Sequence, residues 1–144
     1  MGLLVKIVFL ACVLVATAKP LTEEERQSMI MELVGKCKSA EGASDADVQG
    51  AMAQQPPTTR SGQCFHACMM ETLGVMIGGK LSAEGSARLA EGSGDPEKIK
   101  NSEAITKECI SVGGGERCES AAAIVDCVAA AAAKLGIDPT KDLN

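Results

Sequence analysis

The chain is 144 residues long and carries 14 basic against 19 acidic side chains, for a net charge of −5 at pH 7. This acidic balance, with no basic cluster to override it, argues against nucleic acid or an anionic membrane as a partner. Tryptophan and tyrosine are absent and phenylalanine occurs twice, so stacking on bases or sugars is a poor basis for recognition. The interior must therefore be built mainly from aliphatic side chains and methionine.

The N-terminus has the pattern of a signal peptide. Lys6 precedes an apolar run from Ile7 to Val15, and Ala16-Thr17-Ala18 then supplies the small residues at which signal peptidase cuts. We predict a signal peptide over residues 1–18 and one secreted, extracellular domain over residues 19–144. The apolar run is too short to span a bilayer and no second long run follows, so stable membrane association is not expected.

The rest of the chain reads as helices, and no segment shows sustained strand alternation. Thr22 and Glu25 have capping-box spacing at the start of the first helix. Gly78-Gly79 is expected to stop the third helix, and Gly113-Gly114-Gly115 to separate the fifth from the sixth. The predicted helices cover Leu21 to Lys38, about Ser44 to Met52, Ser61 to Ile77, Ser82 to Ala90, Asp95 to Ser111, and Glu116 to Leu135.

Six cysteines remain once Cys12 leaves with the signal peptide, and an even set in a small secreted domain indicates three disulfides. Cys118 and Cys127 lie on one predicted helix about 13 Å apart, which is too far for a bond. Cys64 and Cys68 lie one turn apart with Cβ atoms about 6 Å from each other, which also excludes a bond. Ten of the fifteen possible connectivities stay open.

The gaps between successive cysteines are 26, 3, 40, 8 and 8 residues. Together with the leader, length, acidity and helical content, this order resembles that of the insect odorant-binding proteins of the pheromone-binding and general odorant-binding family. The resemblance covers nearly all of residues 19–144. It implies an all-α fold, a six-helix disulfide-stapled bundle around an internal apolar cavity, and a secreted carrier of odorants, pheromones or similar small hydrophobic molecules. It also implies three disulfide pairs: Cys37 with Cys68, Cys64 with Cys118, and Cys109 with Cys127.

Apolar helix faces supply the candidates for the wall of such a cavity. Methionine is prominent among them, because its flexible and polarizable side chain adapts to ligands of different shape. The same stripes are typical of an ordinary packed core, and residues 129–133, all alanine, either leave room for a ligand or let helices approach closely. The predicted lining residues are Leu33, Met52, Met69, Leu73, Met76, Leu89, Ile110, Ile124 and Val128.

His66 is the only histidine and lies between Cys64 and Cys68. We keep two hypotheses for it: a pH-sensitive switch for ligand release, and an ordinary exposed helix residue. No metal site is expected, because the disulfides would consume the thiols and one histidine gives no second compact ligand pair. With no Gly-x-Ser-x-Gly elbow either, we predict no catalytic residues, no cofactor and no enzymatic activity.

Two alternatives to an odorant carrier stay open. One is a carrier of non-odour lipophilic ligands, such as fatty acids, hormones or amines, in haemolymph or another secretion. The other is a secreted helical protein without a pocket. As a carrier, the protein would bind a small hydrophobic ligand directly and serve a membrane odorant receptor indirectly, as a monomer or weak homodimer. In the tail after Leu135, Ile137 and Leu143 either fold over the cavity mouth or belong to a frayed terminus.

Overall fold

The computed structural model describes residues 22–138, which form six helices and one two-stranded hairpin. The all-α prediction is confirmed, and none of the described helices is long and apolar enough to cross a membrane. The predicted signal peptide and Leu143 lie outside the described residues. The helices are α1 (Glu23–Glu41), α2 (Asp45–Met52), α3 (Arg60–Thr72), α4 (Ala83–Glu91), α5 (Pro96–Cys109) and α6 (Arg117–Lys134), and the strands are β1 (Met76–Ile77) and β2 (Lys80–Leu81).

The chain divides into two compact units, residues 1–30 and residues 31–144. In the first unit, Thr22 and Glu25 form the predicted capping box: the Thr22 N–H donates to Glu25 Oε2 at 2.8 Å, and the Glu25 N–H donates to Thr22 Oγ1 at 3.2 Å. The disulfides, the buried clusters and the cavity lie in the second unit. A single domain over residues 19–144 stays a prediction.

Side-chain caps start the later helices close to where the sequence places them. The Asp47 N–H donates to Ser44 Oγ at 3.1 Å, and the Ser44 N–H donates to the Asp47 carboxylate at 2.9 Å, so the two residues begin α2 together. Ser82 caps α4, and Asp95 caps α5 with Pro96 in its first turn. These bonds satisfy amide groups that have no partner within a helix.

The third helix ends earlier than predicted, at Thr72 rather than Ile77. Gly74 has a φ of 71°, a left-handed conformation that commonly follows the end of a helix. The strands β1 and β2 then pair antiparallel across Gly78-Gly79, whose φ values of 59° and 74° are those of a type I′ hairpin turn. The glycine pair is therefore a hairpin turn and not a helix stop.

Buried side chains form two clusters. The Phe65 cluster joins α1, the α1–α2 connection and α3, and its buried members are Val34, Cys37, Ala43 and Phe65. The Ile124 cluster lies between α3, the hairpin, α5 and α6, and its buried members are Ala67, Met76, Leu81, Cys109, Ala121, Ile124 and Ala131.

Three disulfides connect the helices. Cys37 of α1 is joined to Cys68 of α3, at a Cα separation of 5.6 Å. Cys64, also on α3, is joined to Cys118 of α6. The third bond joins Cys109 at the end of α5 to Cys127 in α6. These are the pairs that the family resemblance implies, and α3 and α6 each take part in two of them.

Arg117 adds an ionic connection beside the second disulfide. Its Nη2 donates to Glu41 Oε1 and its Nε donates to Glu71 Oε2, both at 2.8 Å. These two hydrogen bonds, to Glu41 and then Glu71, raise the pKa of Arg117 above its ordinary value. The guanidinium thereby holds the ends of α1 and α3 at the start of α6, an arrangement with no signal in the sequence.

Candidate ligand-binding cavity

A cavity of about 800 Å³ opens among α3, α4, α5, α6 and the hairpin. Small-molecule sites usually measure roughly 300 to 1,000 Å³, so the volume suits a ligand. Its floor contains the buried residues Val75, Leu81 and Ile124, two of which belong to the Ile124 cluster. Helix α6 forms a wall that is entirely apolar. Its lining residues are Ile124, Val125, Val128, Ala129, Ala132 and Ala133.

Exposed wall residues mark the open side of this cavity. Leu73 and Leu89 line it and are 40% and 55% exposed, because side chains facing an open cavity remain accessible to solvent. The mouth is formed by Gln54 after α2, Ser93 between α4 and α5, and Ile137 after α6. Of the two hypotheses for the tail, the position of Ile137 fits the one in which the tail contributes to the cavity.

Helix α5 gives the cavity a different kind of wall. Four of its five wall residues are polar, and they recur at the three- and four-residue spacing that places them on one face. The face begins at the exposed Lys98 and continues to half-buried residues farther along the helix. Its members are Lys98, Asn101, Ser102, Ile105 and Thr106.

Four of the nine predicted lining residues lie in the wall, and they come from two helices and the turn after α3. Leu73 follows α3, Leu89 lies on α4, and Ile124 and Val128 lie on α6. The structure thus brings these four side chains to one open space. Binding of a ligand by them stays a prediction.

The other five predicted lining residues lie elsewhere. Leu33 and Met69 pack against the Phe65 cluster, while Met76 is 1% exposed inside the Ile124 cluster. Met52 is 43% exposed on α2, and Ile110 lines a separate groove of about 240 Å³ between α4 and α5. An apolar stripe shows that a helix face is covered, but it does not show whether protein or open space lies opposite.

The alanine run contains positions that fit each of the two hypotheses left open by the sequence. Ala129, Ala132 and Ala133 line the cavity, whereas Ala131 is 1% exposed and packed in the Ile124 cluster. Sequence reasoning also missed the polar side of α5, because it searched only for large apolar side chains. The signal available was the helical spacing of Asn101, Ser102 and Thr106 around the apolar Ile105.

His66 is not among the residues of the cavity wall. Its Nδ1 donates to the carbonyl of Gly62 at 2.9 Å, one turn earlier on α3. A pH-sensitive role for this residue stays a prediction. Between residues 22 and 138, no group of three or more histidine, cysteine, aspartate or glutamate side chains is arranged to hold a metal ion.

Comparison with known proteins gives consistent matches in sequence and fold. Residues 19–131 match the model of the PBP/GOBP family. The chain is 34% identical over 139 residues to general odorant-binding protein 28a of Drosophila melanogaster, covering 94% of this chain and 95% of that protein. The solved structure of OBP28a from the same species aligns at a TM-score of 0.68 with 34% identity, over 81% of this chain and 99% of that one.

A more distant structure has the same fold. A pheromone-binding protein from the cockroach Leucophaea maderae, solved in complex with the fluorescent reporter ANS, aligns at a TM-score of 0.61 and 22% identity. The alignment covers 78% of this chain and 98% of the cockroach protein. The family match over most of the chain, the 34% identity and the shared helical fold confirm the resemblance seen in the cysteine spacing: the protein belongs to the PBP/GOBP family of insect odorant-binding proteins.

Proposed function

We propose that this protein carries small hydrophobic molecules through aqueous fluid in the cavity formed by α3, α4, α5, α6 and the hairpin. One observation supports the proposal most directly: a cavity of about 800 Å³ with an apolar floor opens inside a bundle held by three disulfides. The family consists of odorant-binding carriers, and the protein is not an enzyme. Its wall therefore serves binding and not chemistry.

The driving force is removal of apolar ligand surface from water, at about 25 cal/mol per Å². A ligand of about 10 to 20 heavy atoms, gaining roughly 0.3 to 0.6 kcal/mol per atom, binds with micromolar affinity. An open cavity gives up the packing contacts that a filled core provides. Each disulfide contributes roughly 2 to 4 kcal/mol and offsets that loss.

The cargo belongs to one of two groups: odorants and pheromones, or non-odour lipophiles such as fatty acids, hormones and amines. Mass spectrometry of ligand extracted from the native protein, together with the tissue of expression, separates the two. We further propose that the protein is secreted after cleavage near residue 18, acts as a monomer or weak homodimer, and serves a membrane odorant receptor only through its ligand. The family match begins at residue 19, beside the predicted cleavage site.

Titration with ANS tests whether the cavity binds ligand. The chain has no tryptophan or tyrosine, so its own emission interferes little with the fluorescence of the probe. The variant Ala132→Phe places a ring in the apolar wall and is expected to weaken ANS binding at least about tenfold. The matched control is Ala130→Phe, because Ala130 lies on the same helix but is exposed and outside the wall.

Saturable binding by the wild type that survives in Ala130→Phe and is weakened in Ala132→Phe is the expected result. Absence of saturable binding by the folded wild type would overturn the carrier proposal and favour a helical protein without a functional pocket. Equal weakening in both variants would place the binding site outside this cavity.

A further inference from the structure

Three polar side chains on α5 face the cavity without a protein partner. Asn101, Ser102 and Thr106 line its wall and are half-buried. Within residues 22–138 none of the three makes a side-chain hydrogen bond, and no fully buried side-chain nitrogen or oxygen lacks one. Their polar atoms are therefore accessible from the cavity or the adjoining groove, and each can still donate and accept a hydrogen bond.

Two other serines near these walls are already engaged, whereas Ser86 on α4 also lines the cavity and makes no side-chain hydrogen bond among the described residues. Ser93 at the mouth donates through Oγ to the carbonyl of Ala90 at 2.6 Å, and the buried Ser120 accepts from the N–H of Gly115 at 3.1 Å. Helix α6 presents only apolar side chains to the cavity. The cavity thus has three polar side chains of this kind on α5, one on α4, and apolar contact surface on α6.

Asn101 is the member of this set that lines the cavity alone. Ser102 and Thr106 also line the groove of about 240 Å³ on the outer side of the α4–α5 seam. The amide of Asn101 offers two donors and one acceptor oxygen, so it suits a hydroxyl or a carbonyl group equally. A hydrocarbon ligand would leave the Asn101 amide without a partner in the occupied cavity, which is costly, whereas Ser102 and Thr106 also border the groove.

We propose that Asn101, Ser102 and Thr106 form a polar subsite that selects a lipophilic molecule bearing one neutral oxygen function, a hydroxyl or a carbonyl. The proposal rests on the carrier function above and adds the class of ligand. The oxygen function binds to α5, and the hydrocarbon part packs on α6 and the floor. A carboxylate fits less well, because the three side chains are neutral and burying a charge among them is costly. The charged wall residue, Lys98, lies at the exposed rim.

The test compares four ligands that each contain ten carbon atoms: 1-decanol, 2-decanone, decanoic acid and decane. Each displaces the neutral probe N-phenyl-1-naphthylamine from the wild type and from Asn101→Leu, Ser102→Ala and Thr106→Val. Loss of a net hydrogen bond is expected to raise the Kd of decanol relative to that of decane by about 3- to 10-fold in Asn101→Leu or Thr106→Val. The Kd of decane itself is expected to stay constant or fall.

The matched control is Ile105→Val, which removes one methylene group from the same helix face. It is expected to weaken binding of all ligands by a similar factor and to leave their ratios unchanged. Thermal unfolding followed by circular dichroism establishes that each variant is folded. Thr106→Val preserves side-chain shape, so the test stands even if Asn101→Leu does not fold.

Unchanged decanol-to-decane ratios in all three variants would overturn the subsite while leaving the carrier function intact. A preference for decanoic acid that disappears in Lys98→Met would overturn the neutral-oxygen class in favour of an anionic ligand. If the folded wild type shows no saturable probe binding, the carrier function fails, and that outcome is distinct from either of the others.

Discussion

The Phe65 cluster and the cavity wall show two ways of using apolar side chains in one small protein. In the cluster, Phe65 is 1% exposed and Val34 is 7% exposed, and a disulfide closes the cluster at Cys37. In the wall, Leu73 and Leu89 are 40% and 55% exposed, although both side chains line the cavity. The exposed part of the wall thus contributes little to packing, whereas the floor residues Leu81 and Ile124 belong both to the packed core and to the cavity.

The difference shows where an open protein obtains its rigidity. The Phe65 cluster and two of the three disulfides lie where α3 meets α1 and the start of α6, and the Ile124 cluster adds packing at the floor of the cavity. The cavity is bounded on its other sides by α4, α5 and the later part of α6. Substitutions in the two regions should therefore affect different measurements.

The largest difference is expected between Phe65→Ala and Leu89→Ala. Removing the buried ring of Phe65 leaves a void, and we expect the free energy of unfolding to fall by about 3 to 5 kcal/mol. Leu89 is more than half exposed, so its removal should change that free energy by about 0.5 kcal/mol or less. Urea unfolding followed at 222 nm measures both. Equal losses would show that the wall is packed as tightly as the cluster.

The disulfides provide a second comparison. The bond between Cys64 and Cys118 has a sequence separation of 54, and the bond between Cys109 and Cys127 has one of 18. Replacing Cys64 and Cys118 by alanine should lower the free energy of unfolding by about 4 kcal/mol, and replacing Cys109 and Cys127 should lower it by about 3 kcal/mol. The longer loop costs more because its bond removes more conformational entropy from the unfolded chain. The reversed order would show that the bond between α5 and α6 stabilises more than its loop length predicts.

Glycine substitutions probe close packing near the floor. A Cβ added at Gly85 on α4 would lie 1.8 Å from the carbonyl oxygen of Gly74, so we expect Gly85→Ala to cost about 1 to 3 kcal/mol. The control is Gly35→Ala in α1, where no atom lies within 4 Å of the added carbon. That change should stabilise by about 0.4 to 1 kcal/mol through loss of chain entropy in the unfolded state. Thermal unfolding measures both; destabilisation of similar size in the two variants would contradict the close approach of α4.

The smallest expected effect depends on pH and concerns Asp47. Hydrogen bonds from the hydroxyl of Thr59, and then from the backbone and hydroxyl of Ser44, hold the pKa of Asp47 well below its ordinary value of 3.8. Because the folded-state pKa is depressed, the carboxylate stabilises the protein above about pH 4, and that contribution is lost as the pH falls further. The melting temperature of the wild type should therefore fall more steeply below pH 4 than that of Asp47→Asn. Parallel curves would show that the cap contributes nothing through its charge.

The helix starts, which have a local cause, were predictable from the sequence, whereas the end of α3 and the features with a distant cause were not. Ser44, Ser82 and Asp95 start helices because their side chains bond to amides two or three residues away. The end of α3 was missed because the apolar spacing around Leu73 and Met76 continues the helical period, while Gly74 breaks the helix. A pair of glycines between short apolar segments fits a hairpin turn as well as a helix end.

The cavity wall depended on what lies opposite each helix face, which the pattern does not specify. Met69 and Val128 each directly follow a helical cysteine, yet the first packs against the Phe65 cluster and the second lines the cavity. The polar wall residues were missed because polar side chains on a helix are usually interpreted as facing solvent. Asn101 and Thr106 are read as solvent-exposed side chains until the fold shows that α5 turns that face inward.

The position of Cys64 and Cys68 on one helix has a consequence for oxidative folding. The two thiols lie four residues apart, about 6 Å along the helix, so bringing Cys64 to Cys37 would require α3 to slide by slightly more than one turn. The same slide would carry Cys68 farther from Cys118, so one slide cannot form both exchanged bonds. That slide would take Phe65 and Ala67 out of the positions where they are now fully buried. We therefore expect the packing of α3 to favour the native pairs over the exchanged ones.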